Sequence, residues 1–134
     1  MQPEDRGRAL TVLIVEDEVD LREAVAEAIG DAGYHFISVG DLDRARAALA
    51  TTRIDLILLD MLVAGVSCDD WLAELSLHIN SPATVLTSAD ATPRSQALAT
   101  HYSLPLLLKP FDLDDLMALL GRAHAEGLSP SRPA

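Results

Sequence analysis

Asp55-Leu-Ile-Leu-Leu-Asp60 is the stretch of sequence that decides the fold of this chain. Four consecutive apolar residues between two acids are typical of a β-strand that is covered on both faces. The run stops at Asp60, so we predict that the strand reaches the surface at its last residue. The carboxylate at that position is a candidate reactive group.

The segments on both sides of this stretch alternate between strand and helix patterns. Apolar, β-branched runs predict strands at 10–15, 34–39, 54–60, 83–87 and 104–108. Apolar residues at helical spacing predict helices over about 19–32, 42–49, 70–79, 92–101 and 112–125. A helix between two strands carries the chain back to the start of the next strand, so the strands are expected to be parallel. Right-handed crossover connections then place helices on both faces of the sheet. The predicted fold is α/β: a doubly wound five-stranded parallel sheet of the (βα)5 type.

Capping residues and apolar faces refine the predicted helices. Asp41 and Asp112 are expected to cap the helices that follow them, and Pro93 suits a first turn. The helix near 92–101 has a thin apolar face, chiefly Ala97 and Leu98. In the third and fifth helices, the residues predicted to face inward are Leu72, Leu75, Ile79, Leu113, Leu116, Met117 and Leu120.

Composition limits the possible classes of function. A chain of 134 residues predicts one domain, at 10–125, after a flexible leader at 1–9 and before a flexible tail or linker at 126–134. The net charge of -11 argues against direct binding of nucleic acid or an anionic membrane. The single cysteine excludes an internal disulfide and a Cys-based zinc cluster. No apolar run approaches the roughly 20 residues of a membrane helix, so we expect a cytoplasmic location.

The ends of the predicted strands carry polar residues of complementary chemistry. Binding sites on open parallel sheets form beyond the carboxyl ends of the strands. An acid that follows a strand is commonly only the cap of the next helix, so each position alone is a weak signal. Four strand ends taken together are a stronger one, and they carry Glu16 and Asp17, Asp60, Thr87 and Ser88, and Lys109 and Pro110.

This set of residues suits phosphoryl chemistry. Three carboxylates brought together repel one another unless a cation lies among them, and oxygen ligands without His or Cys favour Mg²⁺. Lys109 would add a positive charge, and Thr87 would add a hydroxyl donor. An aspartate can act as a nucleophile and form an acyl phosphate, so we predict a phosphoryl group on Asp60. The cation and Lys109 would offset the charge of its oxygens.

Over residues 10–125 the chain resembles the receiver domain of two-component response regulators, a flavodoxin-like domain of the CheY-like superfamily. The segments that carry the resemblance are Val15-Glu16-Asp17-Glu18, Asp55-Leu-Ile-Leu-Leu-Asp60, Thr87-Ser88-Ala89 and Lys109-Pro110-Phe111. The resemblance implies that Asp60 accepts a phosphoryl group from a histidine kinase or a histidine phosphotransfer protein. Thr87 would be the switch hydroxyl, and Lys109 would bind the phosphoryl group.

The same resemblance implies a cofactor and a mode of action. Mg²⁺ would be held by Glu16, Asp17, Asp60 and the backbone carbonyl of Leu62, and the Lys109–Pro110 peptide bond would be cis. Phosphorylation would change the 87–109 face and thereby alter partner binding, with a homodimer through the 87–125 face as a further expectation. The domain would not be an enzyme, because it would assist only its own phosphorylation and dephosphorylation.

Four residues depart from the family pattern. Ala64 occupies the usual proline position in the 61–68 loop, and Leu106 replaces the usual Tyr or Phe. Leu62 and Ala89 follow Asp60 and Thr87 by two residues, and neither can hydrogen-bond an attacking water, which predicts slow self-dephosphorylation.

These departures leave a second interpretation open. The chain would then be a pseudo-receiver, a protein-interaction module that acts without phosphorylation. An aspartate-nucleophile phosphatase is disfavoured, because it needs a second Asp where Leu62 stands. The single tryptophan, Trp71, is expected to pack across the loop after Asp60.

Overall fold

The computed structural model of the chain describes residues 9–131. Residues 1–8 of the predicted leader, and 132–134 of the predicted tail, lie outside the described residues. The elements in chain order are β1 (Thr11–Val15), α1 (Val19–Asp31), β2 (His35–Val39), α2 (Leu42–Thr51), β3 (Leu56–Asp60), β4 (Leu62–Val63), β5 (Val66–Ser67), α3 (Asp69–Ser76), β6 (Ala83–Ser88), α4 (Pro93–His101), β7 (Leu106–Leu108) and α5 (Leu113–Glu126).

Five parallel strands form the main sheet, in the order β2-β1-β3-β6-β7. All five residues of the central strand β3 are buried. Ile57 and Leu59 belong to one hydrophobic core, while Leu56 and Leu58 belong to a second core on the other face. The alternation arises because successive side chains of a strand point to opposite faces. The predicted doubly wound α/β fold, with its central strand covered on both sides, is confirmed.

The register of the sheet brings the polar strand ends to one edge. Asp60 of β3 pairs with Thr87 of β6. On the other side of β3, Leu59 pairs with Val15 of β1. The residue after Val15 is Glu16, and it therefore lies beside Asp60. Lys109 extends the next strand, because its backbone N–H donates to the carbonyl of Ser88 at 2.8 Å.

The loop predicted at 61–68 is instead a small antiparallel hairpin formed by β4 and β5, here called the 62–67 hairpin. Its two-residue turn has positive φ at both positions, 50° at Ala64 and 77° at Gly65, as the tightest hairpin turns require. Proline has a φ fixed near −65° and cannot adopt this turn. The presence of Ala64 at the usual proline position therefore agrees with the observed turn. Strands of two residues are too short for alternation of hydrophobicity to reveal them.

The helix caps are confirmed. Asp41 accepts a hydrogen bond from the Arg44 N–H at 2.8 Å, and Asp112 accepts one from the Asp114 N–H at 2.7 Å. Pro93 is the first residue of α4. None of the helices in the described part of the chain is long and apolar enough to cross a membrane.

Three predicted inward-facing residues are wrong. The helix α3 ends at Ser76, and Ile79, beyond it, is 98% exposed. Leu113 lies at the exposed start of α5, and Ala97 is exposed in α4 where Ala99 is buried. Apolar residues at helical spacing can continue beyond the last turn, so spacing alone did not locate the end of α3.

The described part of the predicted tail is packed against the domain. After α5 the chain turns at Gly127, with φ 62°, and the carbonyl of Leu128 accepts a hydrogen bond from the Thr84 N–H at 2.9 Å. Pro130 is buried, and the Ser131 N–H donates to the carbonyl of Tyr102 at 3.3 Å. Residues 128–131 thus cover the start of β6, where β6 does not pair with β7.

Candidate functional site

Asp60 is a buried carboxylate with two different partners. Its Oδ2 accepts a hydrogen bond from the Lys109 Nζ at 2.7 Å. Its Oδ1 accepts a longer one, 3.2 Å, from the backbone N–H of Leu62. Asp60 ends the central strand, where it pairs with Thr87 of β6, and it also lines a cavity.

Lys109 joins two buried acids. Its Nζ donates to Asp60 and, at 2.5 Å, to the Oε1 of Glu16. Burial alone would lower the pKa of the Lys109 ammonium, but the hydrogen bonds to Asp60 and Glu16 outweigh burial and raise this pKa above its ordinary value. The Lys109–Pro110 peptide bond is cis, as the resemblance implied.

The charge of Glu16 is only partly compensated by its partners. Burial raises the pKa of its carboxyl, and the charge of Asp60 adds to the effect. Hydrogen bonds from Lys109 and from the backbone N–H of Glu18, at 3.0 Å, oppose the shift without cancelling it. Burial is thus the main cause of the rise in the pKa of Glu16, whereas the pKa of Lys109 rises because its ammonium has two carboxylate partners.

The acidic residues fit a hard cation. One carboxylate oxygen each of Glu16, Asp17 and Asp60 lies within 4.8 Å of the others. Three carboxylates beside the single ammonium of Lys109 leave this edge of the sheet negatively charged. Asp17 is exposed while Glu16 and Asp60 are buried, so a cation could keep water ligands on the open side, as Mg²⁺ prefers. A role for the carbonyl of Leu62 stays a prediction.

Thr87 lies next to Asp60 on the neighbouring strand. The two residues pair in the register of β3 and β6, and Thr87 is 3% exposed. Its carbonyl accepts a hydrogen bond from the Met61 N–H at 2.9 Å. The sequence-predicted residues Glu16, Asp17, Asp60, Thr87 and Lys109 are therefore brought to one edge of the sheet.

A cavity of 310 Å³ opens beside Asp60, between the 62–67 hairpin and the first turn of α4. Leu62 and Ala89, the residues two after Asp60 and Thr87, are among its lining residues. A larger cavity of 870 Å³ lies near Ile54 and Pro82, where β3 and β6 begin. That cavity is at the opposite end of the sheet from the acidic residues, so it has no part in their chemistry.

Two charged residues at the smaller cavity were not singled out from the sequence. Arg94, the second residue of α4, places its Nη2 3.5 Å from the Oδ2 of Asp69, the first residue of α3. The signal for Arg94 was a cation in the first turn of a helix, where the helix dipole disfavours positive charge. The signal did not identify the partner, because Asp69 is 25 residues earlier in the chain.

Other residues complete the surroundings of the cavity. Ser88 is buried, and its Oγ donates to the carbonyl of Asp90 at 2.9 Å and lies 3.3 Å from the Oγ of Ser95. Trp71 is 2% exposed and belongs to the same hydrophobic core as Met61, so it packs beside the loop as predicted. Leu106 is half-buried against that core, where the family usually has an aromatic ring.

Comparison with known proteins identifies the family of the chain. The model of the response regulator receiver domain matches residues 12–121. The probable transcriptional regulatory protein TcrX of Mycobacterium tuberculosis is 32% identical over 115 residues, 85% of this chain and 49% of that protein. The phosphate regulon transcriptional regulatory protein PhoB of Pseudomonas aeruginosa is 32% identical over 114 residues, with 82% and 49% covered. The chain thus spans about half the length of these curated relatives.

Solved structures give the same result. A CheY-like receiver domain protein from Methanospirillum hungatei has a TM-score of 0.81 at 14% identity, with 88% of this chain and 95% of that chain covered, and it supports the fold alone. NtrX from Brucella abortus has a TM-score of 0.79 at 27% identity, with 88% of this chain and 27% of that chain covered. The family match extends over most of the chain and includes Glu16, Asp60 and Lys109. The chain therefore belongs to the family of response regulator receiver domains.

Proposed function

We propose that this domain is a phosphoacceptor switch that takes a phosphoryl group on Asp60 from a histidine kinase or a histidine phosphotransfer protein. One observation carries the proposal: the buried Asp60 carboxylate has Lys109 on one side and an open cavity on the other. A group that entered the cavity would reach the carboxylate without displacing the ammonium. A cytoplasmic location belongs to the same proposal.

The transfer is a displacement at phosphorus. A carboxylate oxygen of Asp60 forms a P–O bond while the P–N bond of a phosphohistidine breaks, and the imidazole keeps the electron pair. Lys109, 2.7 Å from the carboxylate, lies where it can offset negative charge on the phosphoryl oxygens. No substrate other than its own phosphoryl group is turned over, so we propose a switch rather than an enzyme.

The residues that would hold Mg²⁺ are Glu16, Asp17, Asp60 and the backbone carbonyl of Leu62. The bound cation would supply positive charge for the phosphoryl oxygens. Of the protein groups, Asp17 lies on the exposed side and Glu16 in the interior, where the Lys109 ammonium and the N–H of Glu18 orient its carboxylate.

The readout lies on the 87–109 face. Thr87 would be the switch hydroxyl that responds to the phosphoryl group, and its pairing with Asp60 in the register supports this role. The following helix, α4, buries only Ala99 among its residues, so little apolar contact holds it in place. A change at Thr87 would alter this face and its partners, and a homodimer through the 87–125 face is part of the proposal.

The pseudo-receiver remains the second candidate, and Leu106 is the observation that favours it. An aliphatic side chain packed against the core cannot act as the aromatic ring does in the family. The two candidates differ in one property, the ability of Asp60 to form an acyl phosphate.

Incubation with acetyl phosphate and Mg²⁺, followed by intact-protein mass spectrometry, tests the proposal. The native chain should gain one phosphoryl group, and Asp60→Asn should gain none. Asp90→Asn is the matched control, because Asp90 lines the same cavity and should leave labelling in place. Labelling that persists in Asp60→Asn would refute the assignment, and a native chain that takes no label would favour the pseudo-receiver.

A further inference from the structure

We propose that Arg94 is a second phosphoryl-binding cation, held by Asp69 until Asp60 is phosphorylated. On phosphorylation the guanidinium would leave Asp69 for the phosphoryl oxygens and draw the first turn of α4 toward Asp60. The inference rests on the proposed function and extends it, since it assigns a position and a switching role to a residue of α4.

The charges around the cavity carry the first step. Arg94 is the one cation among the described residues that line it, and it faces the acids Asp60, Asp69 and Asp90. A phosphoryl group brings a further charge of about −1.5 to −2 into this space. On the inner side, Lys109 is already hydrogen-bonded to Glu16 as well as to Asp60. From the cavity side, Arg94 is therefore the residue that can balance the added charge.

The contact between Arg94 and Asp69 is one that can be exchanged. Their closest atoms are 3.5 Å apart, beyond the usual length of a charge-assisted hydrogen bond, and their side chains are 79% and 43% exposed. The Oδ1 of Asp69 already has a partner in the Ser67 hydroxyl at 2.6 Å. A phosphoryl group carries more charge and accepts both arms of a guanidinium, so it would compete well for Arg94.

The place of Arg94 in α4 links this exchange to the readout face. The first turn of α4 is capped by Thr92, whose Oγ1 accepts from the Ser95 N–H at 3.1 Å. Ser95 in turn lies 3.3 Å from the hydroxyl of Ser88, the residue after Thr87. Movement of Arg94 would shift this turn relative to β6. The movement would couple phosphorylation to α4 without an aromatic ring at Leu106.

Beryllofluoride with Mg²⁺, a stable substitute for the phosphoryl group, tests the proposal through the fluorescence of Trp71. Arg94→Ala should weaken beryllofluoride binding about fivefold. A loss of this size is near the upper limit of the free energy that an exposed ion pair contributes. Asp69→Asn should strengthen binding, because it releases Arg94 and removes a repelling charge. In the Arg94→Ala background, Asp69→Asn should give a smaller gain. Arg122→Ala, which removes a similar exposed ion pair in α5, is the matched control for net charge and should change little.

Opposite signs for the two single variants distinguish this role from a structural one. If the pair only fastened α3 to α4, Arg94→Ala and Asp69→Asn would break the same contact and change binding in the same direction. That result, or no change in either variant, would overturn the proposal while the native chain still binds beryllofluoride. A native chain that does not bind it, or Asp60→Asn that binds equally well, would overturn the proposed function and this inference together.

Discussion

Two groups of paired cations and carboxylates lie at the cavity beside Asp60, and they differ in burial. The inner cluster consists of Glu16, Asp60 and Lys109, whose side chains are 7%, 8% and 18% exposed. The outer pair consists of Asp69 and Arg94, whose side chains are 43% and 79% exposed. The distances follow the same order, with 2.5 and 2.7 Å inside and 3.5 Å outside.

The difference separates a fixed contact from an exchangeable one. A buried charge that loses its partner stays desolvated, so the inner cluster resists change. An exposed ion pair is replaced by water at small cost, so the outer pair can change partner. Asp60 therefore has a buried cation on one side and an exposed ion pair across the cavity on the other.

The largest expected effect comes from removing each cation in turn. At neutral pH without metal, Lys109→Met should lower the free energy of unfolding by about 3 kcal/mol, because Glu16 and Asp60 stay buried without a cation. Arg94→Met, the matched change in the outer pair, should alter it by less than about 0.5 kcal/mol. Urea unfolding of the three proteins measures both values.

A Mg²⁺ titration extends the same experiment. The cation should stabilise Lys109→Met more than the native chain, because it compensates carboxylates that no longer have an ammonium. Similar losses of stability in Lys109→Met and Arg94→Met would contradict the distinction between the inner cluster and the outer pair.

The second prediction concerns pH and the inner cluster alone. Burial raises the pKa of Glu16 above its unfolded value of 4.5, so the folded state holds this proton more tightly. The stability linked to Glu16 is then full below pH 4.5 and is lost as the pH rises through the folded-state pKa. Glu16→Gln removes that loss, so the free energy of unfolding of the variant should rise relative to the native chain as the pH increases from 4.5 toward neutrality. Denaturant unfolding in metal-free buffer at several pH values measures this difference, and a difference that falls with pH would argue against it.

The smallest expected effect lies in the 62–67 hairpin. This hairpin carries Ser67, whose hydroxyl donates to Asp69 of the outer pair. Ala64 has a left-handed φ of 50°, a conformation that costs a residue with a Cβ about 1 kcal/mol. Ala64→Gly should therefore raise the free energy of unfolding by up to about 1 kcal/mol. Ala47→Gly, the same change at an exposed position within α2, should lower it by about 1 kcal/mol. Thermal or urea unfolding gives the two signs, and a loss in both variants would mean that the turn is not strained.

The sequence predicted the sheet and the polar residues that meet at its carboxyl edge. Apolar strands such as Leu56–Asp60 have both faces covered, so nearly every residue is apolar and the pattern is plain. Each of the polar residues Glu16, Thr87 and Lys109 lies at or next to the end of such a strand, so a parallel sheet brings them together in any register that aligns the strand ends. The roles of these residues in phosphorylation and metal binding stay predictions.

The sequence predicted much less about the 62–67 hairpin and the end of α3. The 62–67 hairpin depends on two backbone angles at Ala64 and Gly65, and Ala64 gives no sign of a positive φ. The end of α3 was placed too late, because hydrogen bonds that close the chain after Ser76 leave apolar Ile79 in solvent. Apolar spacing that runs past the end of α3 and strands of only two residues give no reliable local signal, so the geometry of these exposed segments does not follow from the sequence.

The sequence by itself determined the order of strands and helices, the two-sided burial of β3 and the residues at the carboxyl edge of the sheet. These features follow from local patterns, since burial demands apolar residues and strand ends come to the surface. Only the tertiary structure decided that Lys109 lies between Glu16 and Asp60 and that Arg94 meets Asp69 across the cavity. Both contacts join residues far apart in the chain, and their distances are set by how the helices and loops pack around Asp60.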